Sequence, residues 1–106
     1  MAYAIVINLD YDSFPPDVCS ELWSAIKQSM LGAGFNCDGR RFIIHQDQDE
    51  ACRLARQVID DLEAHLEFHR KHIYSFMKDF YGYDPQTTVN LLLPDPVTIQ
   101  VQEEAV

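Results

Sequence analysis

The apolar positions of this chain fall into two periods, and the points where one gives way to the other divide it into elements. Tyr3 to Leu9 (Tyr-Ala-Ile-Val-Ile-Asn-Leu) is β-branched and almost continuously apolar, the pattern of a central strand covered on both faces. Asp10-Tyr11-Asp12-Ser13 ends it. Pro15-Pro16 pre-sets the backbone for a helix, with Asp17 and Glu21 in the first turns, where the helix dipole favours negative charge. Val18, Leu22, Ile26 and Met30 then form one row of an amphipathic stripe, with Cys19, Trp23 and Ala33 beside it. Gly32 and Gly34 stand where a left-handed residue would stop the helix.

Phe35 to His45 reads as a hairpin turning at Asp38-Gly39, with Arg41 to His45 as the returning strand. Asp47 followed by Glu50 resembles a capping box. From there, apolar steps of three or four continue through Ala55, Ile59, Leu62, Leu66, His69, Ile73, Phe76 and Phe80, predicting a second helix that Gly82 and Asp84-Pro85 end. Unbroken, that helix would run about 50 Å at 1.5 Å per residue, longer than a domain of this size is wide. It is therefore expected to bend around Phe68 to Ile73, or to lay its aromatic second half on something else. Thr87 to Leu93 is the expected fourth strand. After Pro94-Asp95-Pro96, Val97 to Gln102 alternates like a short edge strand.

Strand, helix, strand, strand, helix, strand is the split βαβ arrangement. The expected fold is an α+β, ferredoxin-like βαββαβ sandwich: an antiparallel four-stranded sheet with two helices on one face, plus a C-terminal edge strand. It forms a single domain over residues 1–106, with 97–106 as an arm. At 106 residues such a domain buries only about two-thirds of its unfolded surface, so a homodimer would add useful burial.

Charge narrows the function classes. The formal net charge of −9 repels phosphate backbones at long range, which disfavours nucleic acid as a partner. Three widely spaced cysteines (Cys19, Cys37, Cys52) without a CxxC pair fit reduced thiols rather than a disulfide framework. No basic segment precedes the short apolar run at Tyr3, and no run is long enough to span a membrane, so the expected location is the cytoplasm. Among nucleotide, hydrolase and zinc motifs, GxGxxG, GK[ST], GxSxG and HExxH are absent.

Three constellations carry candidate chemistry. Asp10 and Asp12 follow the first strand; doubled in a dimer, they would offer hard oxygens for Mg²⁺ or Mn²⁺ and for water activation on phosphate, with Arg40 and Arg41 as phosphate contacts. The plainer alternative is a polar turn that caps the helix. His65, His69 and His72 fall at i, i+4 and i+7, one face of a continuous helix, where they would be transition-metal ligands or packed imidazoles. Phe68, Phe76, Phe80, Val97, Ile99 and Val101 are the expected interface residues, with a second copy or another protein as partner.

The run Tyr3-Ala4-Ile5-Val6-Ile7-Asn8-Leu9-Asp10, the helix end Gly32-Ala33-Gly34-Phe35 and the hairpin leading straight into a capped helix resemble one branch of this fold. That branch contains virulence-associated protein D and the small CRISPR-associated ferredoxin-fold nucleases. The resemblance implies an aspartate after the first strand, Asp10 here, lying at a dimer two-fold and supporting metal-dependent phosphodiester cleavage. It also implies a C-terminal strand paired with the partner chain. The acidic balance, the long aromatic second helix and the strand-forming tail set the leading functional expectation instead: a non-catalytic homodimeric interaction or regulatory protein of the cytoplasm. The alternatives are a metal-dependent endoribonuclease and a transition-metal binder using the histidine face.

Overall fold

The computed structural model describes residues 1–65 and 72–87. Its elements are β1 (Tyr3–Leu9), α1 (Pro16–Gly32), β2 (Asn36–Asp38), β3 (Arg41–Ile44), α2 (Gln48–His65), a 3-10 turn (Ile73–Phe76), β4 (Met77–Tyr83) and a second 3-10 turn (Pro85–Thr87). The strands lie in the order β2-β3-β1-β4, and every neighbouring pair is antiparallel. β1 and β2 therefore run parallel with β3 between them, and β3 and β4 run parallel with β1 between them. These are two interleaved split βαβ units, the ferredoxin-like α+β arrangement.

β1 is the central strand, as its composition predicts. Tyr3, Ile5, Ile7 and Leu9 face the helices and join the core with Leu22, Ile26 and Met30 of α1 and Ala51, Ala55 and Ile59 of α2. Ala4 and Val6, on the opposite face, are buried as well. α1 begins with Pro16 at its first position and ends in a Schellman motif. The Phe35 amide donates to the Met30 carbonyl, the Gly34 amide donates to Leu31, and Gly34 takes φ +104°. Of the two expected stop residues, Gly34 is the left-handed one. The hairpin loop is Gly39-Arg40 between the paired Asp38 and Arg41, one residue later than expected, with Gly39 at φ +63°, as primed turns require. Asp47 caps α2 by accepting from the Glu50 amide at 2.8 Å. The Glu50 carboxylate turns to Arg53 instead of closing a capping box.

The second helix is corrected in its C-terminal half. Residues 77–83 are a strand, paired with β1 from Ala4↔Tyr83 to Leu9↔Met77. The steps Ile73, Phe76 and Phe80 fit helical spacing, but they belong to a 3-10 turn followed by a strand. Ile73 and Phe76 are core residues and Phe80 packs against the core. Two forces favour the strand. Without β4, one whole edge of the most apolar strand in the sheet would leave its amides and carbonyls unpaired. The aromatic run Phe80-Tyr81-Gly82-Tyr83 also suits a pleated surface better than a helix. Gly82, expected as a helix stop, is a strand position: a Cβ there would lie 2.5 Å from Cε2 of Tyr3.

Of the expected fourth strand, Thr87 to Leu93, only Thr87 is among the described residues, and it closes a 3-10 turn. The arm Val97 to Gln102 lies outside them, as do Phe68 and His69. Among the described residues, no helix is long and apolar enough to cross a membrane.

Candidate functional site

Asp10 leaves β1 into the turn that leads to α1. Its Oδ1 accepts from the Ser13 amide at 3.1 Å, and its own amide donates to the Phe76 carbonyl at 2.8 Å. The hydrogen bond from Ser13, followed by weaker contributions from neighbouring amides and Lys78, holds the carboxyl below its ordinary range. Asp12 points outward, 90% exposed, with Lys78 Nζ at 3.9 Å. The two carboxylates thus form a capped polar turn within one chain. Among the described residues, no three His, Cys, Asp or Glu side chains gather as a metal site.

Arg40 and Arg41 diverge. Arg40 lies over the Tyr11 ring, 5.5 Å from its centroid. Arg41 makes a two-pronged contact to Asp38, Nε and Nη2 reaching Oδ2 at 3.0 and 2.8 Å, while Nη1 donates to the Tyr83 hydroxyl at 2.9 Å. Its guanidinium therefore crosses β1 from β3 to β4 and is already engaged by protein groups. A shared phosphate site for the pair is not what this geometry builds.

The histidine face is also corrected. His72 has extended backbone at the start of the 3-10 turn and is not part of an α2 face. Its Nδ1 lies 3.0 Å from Glu63 Oε1, the oxygen that also accepts the Ile73 amide at 2.7 Å. Of the expected interface residues, Phe76 is buried in the core against Phe14, at a ring separation of 4.4 Å, and Phe80 is half-buried facing the helices. Val97, Ile99 and Val101 are outside the described residues. Cys19 is a buried packing group. Burial, with Asp10 and Asp17 adding to it, pushes the Cys19 thiol up, and all three cysteines are free.

What the hydrophobic periods did not reveal is the open face of the sheet, the side away from both helices. Strand register puts Val6 between Arg41 and Tyr81, and Ala4 between Ile43 and Tyr83. Tyr81 is 53% exposed and stands 6.4 Å from Tyr83, centroid to centroid. Among the described residues, the carboxylates that the strand register places on this face have partners: Asp38 pairs with Arg41, and Asp79 accepts from Asn8 Nδ2 at 3.2 Å. The i, i+2 spacing of Tyr81 and Tyr83 is the available signal, masked by the apolar steps at Ile73, Phe76 and Phe80, which fit a helix equally well.

No protein-family model matches the chain, and no curated protein is similar enough to match it.

Proposed function

We propose that the chain is a non-catalytic interaction protein of the cytoplasm that works as a homodimer, two copies meeting through the open faces of their sheets. The observation that carries this reading is the character of that face. An exposed tyrosine stands beside a half-buried one and Ile43, over a central strand with no cover from either helix. Aromatic residues of this kind, with charges neutralised in place, make up the cores of protein interfaces. Three free thiols support a reducing compartment. The test is sedimentation equilibrium of the wild-type chain and of Tyr81→Glu, with circular dichroism to verify the fold. A wild-type dimer that Tyr81→Glu converts to a folded monomer supports the reading; a wild-type monomer at millimolar concentration defeats it.

A second reading, metal-dependent RNA cleavage using Asp10 from two copies, has one observation in its favour: that carboxyl stays ionised to low pH at the end of β1. It requires Mg²⁺- or Mn²⁺-dependent cleavage that Asp10→Asn abolishes while the dimer persists.

A further inference from the structure

We propose that His72 is a phosphoryl-acceptor site, an imidazole whose Nε2 is presented to solvent as a nucleophile while Glu63 holds the other nitrogen. This proposal is independent of the dimer.

Three features define the arrangement. First, Glu63 is itself fixed. It rises from α2, its side chain only 25% exposed, and its Oε1 accepts the Ile73 amide at 2.7 Å. Second, the same oxygen stands 3.0 Å from His72 Nδ1, so the neutral ring keeps its proton on Nδ1 and its lone pair on Nε2. Third, the His72 side chain is 86% exposed, and its backbone carbonyl is held by the Ser75 amide at 2.9 Å and by the Ser75 hydroxyl. The residue is anchored through its carbonyl and one ring nitrogen, leaving Nε2 accessible.

A carboxylate on Nδ1 is what an attacking imidazole needs, because attack through Nε2 makes the ring cationic. The Nε2 lone pair forms a bond to phosphorus. The bond from phosphorus to the donor's leaving group breaks, and its electron pair departs with that group. The Nδ1 proton stays in place, shared with Glu63, whose negative charge stabilises the imidazolium formed. The donor class is an activated phosphoryl compound, an N-phosphate or acyl phosphate. Since the ring projects from the surface rather than into a cavity, the donor in nature would be docked by a protein that carries it.

His45 supplies an internal reference: it too is exposed, and no carboxylate bonds to it among the described residues. The experiment treats the full chain with potassium phosphoramidate near neutral pH and follows acid-labile phosphohistidine at each position by mass spectrometry. His72 is expected to be labelled at least fivefold faster than His45. In Glu63→Gln the His72 rate should drop toward that of His45, whose own rate stays constant. Glutamine still offers a carbonyl to the Ile73 amide, and a thermal melt checks that the variant is folded. Should Glu63→Gln unfold, long-range ¹H–¹⁵N spectra of the wild-type chain decide: a bare Nε2 with protonated Nδ1 supports the proposal, and the opposite tautomer overturns it. Equal labelling of His72 and His45, or a His72 rate indifferent to Glu63→Gln in a folded variant, also overturns it.

Discussion

Gly82 and Asp10 show how single positions answer to their surroundings rather than to local propensity. The Tyr3 ring and the Ile5 side chain close over Gly82, leaving a methyl group 2.5 Å from Tyr3 Cε2 and 3.1 Å from Ile5 Cδ1. Gly82→Ala should therefore destabilise the fold by about 1–3 kcal/mol, the usual cost of overpacking; a melting temperature unchanged from wild type would contradict that placement. Asp10 gives a pH signature. Its folded pKa lies below the 3.8 of the unconstrained group, so its contribution to stability is complete above 3.8 and fades as pH falls through the lower folded value. Denaturation midpoints of Asp10→Asn should accordingly lie below wild type at pH 6 and approach it toward pH 2, whereas a constant difference would refute the assignment. Tyr74 titrates in the other direction. Burial first, and then its hydrogen bond to Asp60, push it up to about 12, so an absorbance titration should show a tyrosine ionising well above the ordinary value of 10.0, a step that Tyr74→Phe removes.

At the scale of elements, β1, α1, the hairpin and the start of α2 were legible because their patterns are long and each has its own punctuation. Pro15-Pro16 opens α1, Gly34 closes it, and Asp47 caps α2. The region after His65 was not legible. Apolar residues at 73, 76 and 80 fit a helical stripe as well as a turn followed by a strand, and periodicity alone cannot separate them. The deciding influence is non-local: β1 needs a partner on its second edge, and that partner lies far along the chain, from Leu9↔Met77 to Ala4↔Tyr83. The site suffered the same error, since moving residues 77–83 from helix to strand changes which side chains share a face. The pairing makes a direct prediction. Amides of β4 facing β1 should exchange slowly, with extended Cα shifts across 77–83; helical shifts there would refute the register. Phe76→Ala, which empties the contact with Phe14 beneath that strand, should cost about 3–5 kcal/mol by denaturant titration.

For the whole molecule, the question is which surface two strongly acidic copies can bring together. The proposed dimer would carry −18, twice the −9 of one chain, which favours a contact where like charges are fewest. α2 carries Asp49, Glu50, Asp60, Asp61 and Glu63 against Arg53 and Arg56, whereas the described strands of the open sheet face carry only Asp38 and Asp79 against Arg41, the smaller excess of negative charge. Added salt should therefore tighten the proposed dimer by screening the remaining repulsion, and a dimer loosened by salt would point to an interface of ion pairs instead. The most direct measurement is an isotope-filtered NOE experiment on a mixture of labelled and unlabelled chains. The account predicts intermolecular contacts from the Tyr81 ring to Ile43 and Val6 methyl groups; intermolecular contacts confined to helix residues, or none at millimolar concentration, would contradict it.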